Sequence, residues 1–383
     1  MRQLTRLFPL FLVVVMSGCS LWSSDEEIQP AALEELASEY EIKKLWSTQI
    51  GDGLGDKYHQ FAMQILSSRI YAVDHKGSVY ALERDTGKAI WRNKLALSVS
   101  GGVGVGSGRV IVTGFDGQVI ALSALDGTEV WRTKLTSEAV APARLDSGLA
   151  LLQTIDGRLA ALDAQTGELR WSYSAQEPAL TLRGTSTPLL VDDVVYAGFS
   201  SGKIVALAVR TGDVIWETRV ATSQGRTELE RMVDIDGALI YSGGLVYAGS
   251  YQGRVTAIAM ADGRRVWSEP LSSYRSLVQK ADALYAVNDE GAVIAFDKRT
   301  GAELWKQPGL YYRQLSSLAL IDEVIAVGDY QGYIHFIDTA DGHFVGRYSL
   351  GDSSIVAAPL SQDGVLYSIN NDGRLSALVM QKQ

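Results

Sequence analysis

The residues of this 383-residue chain that could carry out chemistry are few and scattered. Cys19 is the only cysteine, which excludes a disulfide framework and a thiolate metal site. The four histidines share no spacing typical of metal ligands: His59, His75, His335 and His343. Six aspartates lie in turn positions, where aspartate is favoured for local hydrogen bonds: Asp74, Asp85, Asp116, Asp126, Asp156 and Asp163. These types and spacings predict neither catalytic residues nor a metal site.

Two segments hold residues of the kinds that bind a protein partner. One contains Leu180, Leu182 and Arg183, and the other contains Asp234 and Asp236. Apolar side chains within a charged rim can grip a partner surface. Two alternatives stay open at this point. The leucines could pack against the fold itself, and the second aspartate could simply form a turn with the glycine that comes after it.

A repeated block must position these residues. The block is a glycine turn, an apolar strand, usually a second glycine turn and usually a tryptophan, and its first glycine recurs at Gly77, Gly117, Gly157, Gly202, Gly253, Gly291, Gly332 and Gly373. A period near 40 residues of short apolar strands and glycine turns is typical of a β-propeller with one four-stranded blade per repeat. We therefore predict an all-β fold in which residues 41–383 form one eight-bladed propeller of antiparallel strands.

The tryptophans and the chain ends predict how the ring closes. A tryptophan follows the second glycine by four residues in six blocks: Trp91, Trp131, Trp171, Trp216, Trp267 and Trp305. A large ring in the same place in each blade suits the gap between blades. Gly346 takes this place in the seventh block, and the eighth block ends before reaching it. Because a spare tryptophan strand surrounds Trp46, we predict that the N-terminal strand completes the last blade. The glycine-rich run 101–108 indicates close backbone approach near the axis.

The two candidate segments coincide with the longest intervals between blocks. Two consecutive intervals are 45 and 51 residues long, against 38 to 41 elsewhere. Their extra residues fall after Trp171 and Trp216, in residues 172–183 and 221–236. Both segments lead from an outer strand to the next blade's inner strand, and in a propeller such connections emerge on one face. We therefore expect two neighbouring loops that form a binding surface, with leucine, arginine and aspartate exposed at their tips.

The N-terminus has the layout of a signal peptide. Arg2 and Arg6 precede an apolar run over residues 7–16, which is too short to remain as a membrane span. The cysteine after this run, Cys19, resembles the lipobox cysteine of bacterial lipoproteins. That resemblance implies removal of residues 1–18, acylation of the cysteine with palmitate among the chains, and sorting to the outer membrane, since serine and not aspartate comes next. Ordinary secretion with an unmodified cysteine is the alternative.

Residues 19–40 are expected to form a polar tether to the ring. Leu33, Leu36 and Tyr40 share helical spacing after Pro30, which allows a short helix that would be marginal by itself. Removal of the two signal-peptide arginines takes the formal net charge from −9 to −11. An acidic ring of this kind argues against nucleic acid as a partner.

The tryptophan-containing repeat resembles that of the pyrroloquinoline-quinone dehydrogenases, which are also eight-bladed. Their chemistry needs a Ca²⁺ held by carboxylates and amides and a general-base aspartate. The vicinal cysteine pair typical of that family cannot occur in a chain with one cysteine. The six aspartates in turn positions are accounted for by local hydrogen bonding. We therefore predict that the protein is not an enzyme and binds no cofactor.

A second resemblance is more specific. The segments Leu180-Thr-Leu-Arg-Gly-Thr-Ser-Thr-Pro188 and Arg226-Thr-Glu-Leu-Glu-Arg-Met-Val-Asp-Ile-Asp236 look like loops of the BamB family, lipoproteins of the outer-membrane β-barrel assembly machinery. The lipobox and the eight repeats extend the similarity over nearly the whole chain. In that family the two loops contact BamA through its periplasmic POTRA domains. Carried onto matching positions, the resemblance implies these contact residues: Leu180, Leu182, Arg183, Asp234 and Asp236.

The resemblance implies a function as well as a partner. The expected protein faces the periplasm from the outer membrane and acts as a non-catalytic scaffold. It would bind BamA, and through it the rest of the assembly complex, and help to present unfolded barrel proteins for insertion. The main alternative is another protein-binding propeller lipoprotein with a different partner, and a relative of the quinone-dependent dehydrogenases is the less favoured one.

We expect Cys19→Ala, secreted with an ordinary signal peptide, to appear in the soluble periplasmic fraction. The reason is that several acyl chains on this cysteine would supply the apolar burial that holds the protein at a bilayer. Membrane fractionation against the wild-type chain measures this. If the variant stays tightly bound to membranes in cells depleted of the partner protein, the lipid anchor is wrong.

Overall fold

The computed structural model describes residues 28–55, 63–178, 180–182, 184–222 and 226–383. Within these ranges the chain forms 32 strands in eight four-stranded antiparallel sheets. The described ranges contain no helix, and so none that could cross a membrane. The sheets are the blades of a ring, which confirms the predicted eight-bladed propeller. Cys19 and the predicted signal peptide lie outside the described residues.

The strands are numbered in chain order, beginning with β1 (Tyr40–Gln49). Blade one consists of β2 (Gln64–Leu66), β3 (Arg69–Val73), β4 (Ser78–Glu83) and β5 (Ala89–Lys94), and blade two of β6 (Gly104–Gly106), β7 (Arg109–Thr113), β8 (Gln118–Ser123) and β9 (Glu129–Lys134). Blade three consists of β10 (Arg144–Asp146), β11 (Leu149–Gln153), β12 (Arg158–Asp163) and β13 (Leu169–Ser174), and blade four of β14 (Leu189–Val191), β15 (Val194–Gly198), β16 (Lys203–Ala208) and β17 (Val214–Arg219).

Blades five to eight continue in the same pattern. Blade five consists of β18 (Ile240–Ser242), β19 (Leu245–Gly249), β20 (Gly253–Ala259) and β21 (Arg265–Leu271), and blade six of β22 (Val278–Lys280), β23 (Ala283–Val287), β24 (Val293–Asp297) and β25 (Glu303–Gln307). Blade seven consists of β26 (Ala319–Ile321), β27 (Val324–Gly328), β28 (Tyr333–Asp338) and β29 (Phe344–Ser349). Blade eight consists of β30 (Leu360–Gln362), β31 (Val365–Ile369) and β32 (Arg374–Lys382) together with β1.

The second and third strands of a blade are buried on both faces. In blade two, β7 and β8 each have four consecutive buried residues. Continuous apolar runs of this kind are expected where both faces of a sheet are covered, here by the neighbouring blades. The outer strand β9 fully buries only Trp131. Each blade therefore depends on its neighbours to complete its core.

Tryptophan from an outer strand joins seven of the blade junctions. Its indole N–H donates to a backbone carbonyl of the next blade at 2.7–3.2 Å. Its ring lies on a positive-φ glycine of that blade's last turn, where a Cβ would come within 2.5–2.7 Å of an indole atom. Only glycine fits such a position. The pairs are Trp46–Gly87, Trp91–Gly127, Trp131–Gly167, Trp171–Gly212, Trp216–Gly263, Trp267–Gly301 and Trp305–Gly342. We call each pair a tryptophan dock.

The N-terminal strand closes the ring, as the sequence predicts. Strand β1 pairs antiparallel with β32, from Tyr40 opposite Lys382 to Gln49 opposite Arg374. The last blade therefore has the order β1, β32, β31, β30. Its Trp46 then docks onto blade one like the other tryptophans. Because the two chain ends pair with each other, each covers the edge that the other would expose.

The junction between blades seven and eight is built differently. The outer two strands of blade eight, β32 and β1, are the two ends of the chain, so no turn joins them and no turn glycine can receive an indole. Gly346 stands in the tryptophan position of blade seven, and Cδ1 of Ile42 lies 3.7 Å from the place where its Cβ would be. Apolar residues of both blades, including Val345 and Leu378, form one buried cluster here.

Residues 28–39 form no helix, although their apolar spacing allows a short one. The segment instead lies across blade seven and the connection that leads into it. The N–H of Ala31 donates to the carbonyl of Tyr311, and the N–H of Glu39 donates to the carbonyl of Val345, both at 2.9 Å. One helical turn by itself is marginal, and these tertiary hydrogen bonds satisfy the backbone instead.

The glycine-rich run marks close backbone approach, as the sequence indicates. A Cβ on Gly104 would lie 2.2 Å from the carbonyl oxygen of Ala143, and a Cβ on Gly106 would lie 2.6 Å from that of Leu145. The inner strands of blades two and three therefore meet backbone to backbone. The run therefore serves the packing of the ring.

Removal of β1 should destabilise the ring far more than removal of the residues before it. A chain that begins at Ile50 exposes β32 and loses the Trp46 dock, while a chain that begins at Tyr40 keeps both. Loss of one packed tryptophan alone costs about 3–5 kcal/mol. Thermal melts followed by circular dichroism compare the two truncations. Coincident melting curves would show that the ring does not close through β1.

Candidate protein-binding surface

The two long connections lie side by side in the structure. Residues 175–188 lead from blade three to blade four, and residues 220–239 lead from blade four to blade five. The carboxylate of Asp234 accepts a hydrogen bond from the backbone N–H of Leu182. Next to it, the backbone of Gly184 is so near Asp236 that a Cβ there would lie 2.4 Å from the carboxyl carbon. The second connection therefore supports the backbone of the first.

The two aspartates are buried, which corrects the expectation that they are exposed at a loop tip. Asp234 has no exposed surface and Asp236 is 4% exposed. The segment that carries them turns back between the blades, because its apolar side chains, Val233 and Ile235 among them, are buried in the core. The carbonyl of Asp234 also accepts from the N–H of Tyr251 at 2.8 Å. Both aspartates therefore face the first connection from inside the protein.

Burial gives this group of carboxyls unusual electrostatics. Loss of hydration raises the pKa of Asp234 to about 7 and that of the adjacent Glu177 to about 7. Burial, with the neighbouring Asp234 charge added, raises the pKa of Asp236 well above its ordinary value. Among the described residues, one oxygen of Asp234 and one of Glu177 have no hydrogen-bond partner. The carboxyls of the cluster are hydrogen-bonded to Leu182 of the first connection and to Ser200, in the turn between β15 and β16.

The exposed part of the surface is apolar. Leu180 is 43% exposed on the first connection, and Leu229 is 60% exposed on the second. Leu182, between the exposed tip and the aspartates, is half-buried. Leu180 therefore does not pack fully against its own blade. Arg183 lies outside the described residues.

Leu229 is a further candidate that the sequence patterns above do not predict. It sits in a short turn over residues 226–231 that is held by a capping box. The N–H of Glu230 donates to the hydroxyl of Thr227 at 3.2 Å, and the carboxylate of Glu230 accepts from the N–H of Thr227, also at 3.2 Å. The Thr-x-x-Glu pattern with one leucine among charged residues is the signal that could have indicated it.

One group of side chains in the described ranges has the spacing of cation ligands. It consists of Asp338, Asp341 and His343, beside the last turn of blade seven. Both ring nitrogens of the histidine already lie at hydrogen-bond distance from carboxylates, 2.6 Å from Asp341 and 2.7 Å from Glu39. These two carboxylates raise the pKa of His343, since both stabilise the imidazolium. The arrangement is therefore that of a surface ion pair.

Known proteins similar to this chain share one description. A family model described as outer membrane protein assembly factor BamB matches residues 75–307. The protein of that name from Pseudomonas aeruginosa is 45% identical over 372 residues, which cover 97% of this chain and 98% of the relative. The one from Escherichia coli (strain K12) is 32% identical over 380 residues, which cover 96% of this chain and 97% of the relative.

Solved structures extend the likeness to the fold. The crystal structure of BamB from Moraxella catarrhalis has a TM-score of 0.82 and 28% identity, and covers 88% of this chain and 99% of its own. The quinohemoprotein alcohol dehydrogenase from Comamonas testosteroni has a TM-score of 0.70 over 88% of this chain and 76% of its own, at 14% identity. At that identity the second likeness concerns the propeller fold alone.

The buried carboxyls should make stability fall as the pH rises. Their pKa values are near 7 in the folded ring and about 4 in an unfolded chain, so their contribution is complete below pH 4 and is lost as the pH rises through 7. The amide side chain of Asp234→Asn cannot ionise, but its oxygen can still accept the hydrogen bond from the N–H of Leu182. We expect its free energy of unfolding to fall less between pH 5 and pH 8 than that of the wild type, by roughly 1 kcal/mol or more.

Denaturant titrations at the two pH values measure this difference. Asp193→Asn, at an exposed position, is the matched control and should behave like the wild type. Equal pH dependence in Asp234→Asn and the wild type would mean that Asp234 is ionised in the folded protein at pH 5.

Proposed function

The chain belongs to the family of the outer membrane protein assembly factor BamB, and from that premise we propose that it is a non-catalytic scaffold lipoprotein of the β-barrel assembly machinery. Membership rests on the family model and on relatives that match over nearly their full length. Family membership implies that the protein is an assembly factor of outer membrane proteins and acts at the outer membrane. The scaffold role, the partner and the anchor are the proposal.

The proposed partner is BamA, bound through its periplasmic POTRA domains. The observation that carries this assignment is the exposure of Leu180 on a connection whose backbone is held from below by Asp234. An exposed leucine on a braced loop can enter a partner's apolar pocket without much ordering of the loop on binding. Leu182 and Arg183 continue the same loop, and the cationic side chain would pair with a carboxylate or carbonyl of the partner.

Asp234 and Asp236 enter the proposal in a different role. Because both are buried, they would act on the partner through the shape of the first connection and not by direct contact. Leu229 takes their place on the exposed side of the second connection. The binding surface we propose therefore consists of Leu180, Leu182, Arg183 and Leu229, with the two aspartates beneath it.

The proposed anchor is a lipidated Cys19. Its support is the lipobox-like sequence around this cysteine. An enzymatic function is not favoured by the comparisons, since the quinone-dependent dehydrogenases share only the fold with this chain. Through BamA the protein would join the rest of the complex and help to present unfolded barrel proteins for insertion.

We expect Leu180→Asp and Arg183→Glu each to weaken binding to the POTRA region at least tenfold. Burial of one leucine contributes about 1.5–3 kcal/mol, and a hydrogen bond to a charged group contributes about 1.5–3 kcal/mol. About 1.4 kcal/mol corresponds to one factor of ten in affinity. Isothermal titration of the purified POTRA region measures the change. Circular dichroism confirms that each variant is folded, since loop tips carry little of the blade packing.

Leu125→Asp is the matched control for this experiment. Leu125 is 71% exposed, in the last turn of blade two, and in a propeller such turns emerge on the face opposite the inter-blade connections. It should bind like the wild type. Wild-type affinity in well-folded Leu180→Asp and Arg183→Glu would remove the first connection from the partner site.

A further inference from the structure

Residues 28–39, which we call the strap, lie over the part of the ring where the tryptophan docks stop. We propose that the strap is a built-in clamp that fastens the N-terminal strand β1 to blade seven and to the connection that leads into it, next to the one junction without a tryptophan dock. The segment would then belong to the ring and not to a free tether. Backbone contacts, apolar packing and a buried ion network support this assignment in turn.

The backbone of the strap is hydrogen-bonded at both ends. At its start, Ala31 donates to the carbonyl of Tyr311, in the connection between blades six and seven, at 2.9 Å. At its end, Glu39 donates to the carbonyl of Val345 in β29 of blade seven, and its own carbonyl accepts from Gln383 beyond β32 of blade eight, both at 2.9 Å. The strap is therefore hydrogen-bonded to the connection into blade seven and to β29, and its last residue continues the β1–β32 ladder of blade eight.

Apolar packing holds the middle of the strap. Leu33 packs against the buried cluster between blades six and seven, which includes Leu310, and Trp305 and Phe344 pack against the same cluster. Ala37, four residues later, is exposed. One side of the strap is thus part of the core and the other faces solvent.

Two arginines donate hydrogen bonds to backbone carbonyls of the strap, one from the connection into blade seven and one from β29. Arg313 donates from Nη1 to the carbonyl of Ala31 at 2.9 Å, and Arg347 donates from Nη1 to the carbonyl of Glu34 at 3.1 Å. Arg313 is 2% exposed, so its charge is taken out of water. A buried guanidinium is costly unless its donors are paired. Without the strap, Nη1 of Arg313 would lose the carbonyl that accepts its hydrogen bond.

The arginines are themselves fixed by a buried network. Arg313 donates from Nε to Asp329 at 2.8 Å, and His335 lies with Nε2 2.9 Å from the same carboxylate oxygen. Arg347 donates from Nε to Nδ1 of His335 at 3.3 Å, which requires that nitrogen to be unprotonated. Burial lowers the pKa of His335, in keeping with a neutral ring. The network thus presents two positioned donors to the strap, as a pre-formed peptide-binding site does.

The strap also determines where the chain enters the ring. With the strap in place, the chain is already hydrogen-bonded to the ring at Ala31, before β1 begins at Tyr40. Ala31, the first strap residue that is hydrogen-bonded to the ring, lies twelve residues after Cys19, which can span at most about 43 Å. On the proposed lipidation of Cys19, on which this consequence rests, the strap would keep blade seven near the membrane.

Hydrogen–deuterium exchange of the full mature chain tests the clamp. In the wild type, a peptide covering residues 28–39 should retain slowly exchanging amides, since Ala31 and Glu39 donate to the ring. Leu33→Asp should accelerate their exchange at least tenfold and also accelerate exchange in β29. Ala37→Asp adds the same charge at an exposed strap position and should leave both peptides unchanged.

The wild-type measurement is decisive even if Leu33→Asp unfolds. Exchange of residues 28–39 at the rate of an unstructured chain in the wild type would overturn the clamp. So would a folded Leu33→Asp protein in which β29 and the strap stay as protected as in Ala37→Asp. Neither result depends on the partner or on lipidation. The clamp can therefore be disproved while the proposed function stands, and the proposed function can be disproved while the clamp stands.

Discussion

The packing of one tryptophan on one glycine between neighbouring blades is the interaction on which this structure depends. A blade's two middle strands are apolar on both faces, so no blade is stable without a neighbour on each side. The indole fills the gap at the outer strand, and its N–H is satisfied by a carbonyl of the next blade. Burial of about 150–250 Å² of aromatic surface contributes roughly 4–6 kcal/mol per dock before entropy is subtracted. The glycine is required because any side chain would occupy the space of the ring.

The need for a turn glycine to receive each indole also explains why the junction between blades seven and eight has no tryptophan dock. A ring made from one chain must place its two ends somewhere, and here they form the outer two strands of blade eight. That choice removes the turn on which a tryptophan from blade seven would dock. The junction uses Ile42 and neighbouring apolar residues instead, and the strap crosses blade seven, which carries Gly346. The absence of a tryptophan at position 346 is thus a consequence of how the ring closes.

Features that depend on the repeat period could be predicted from the sequence, and features that depend on tertiary contacts could not. Glycine and tryptophan spacing predicted the ring, and Trp46 predicted the closing strand, because these residues have the same local role in every blade. The spacing of Leu33 and Leu36 also suggested a helix, but contacts with blade seven replace that weak local preference. Asp234 and Asp236 were predicted to be exposed because they are charged and lie on an insertion. Their burial depends on how the insertion folds back, which neighbouring residues along the chain do not reveal.

The candidate surface depends on the same rigidity. Docked blades hold the two long connections next to each other, and the buried aspartates support the backbone from which Leu180 projects. Site-specific photo-crosslinking in cells tests this most directly, with the photoreactive residue placed at position 180, 229 or 125 in turn. We predict cross-links to the POTRA region of BamA from positions 180 and 229 and none from position 125. Cross-links from position 125 alone, with positions 180 and 229 silent, would contradict the account.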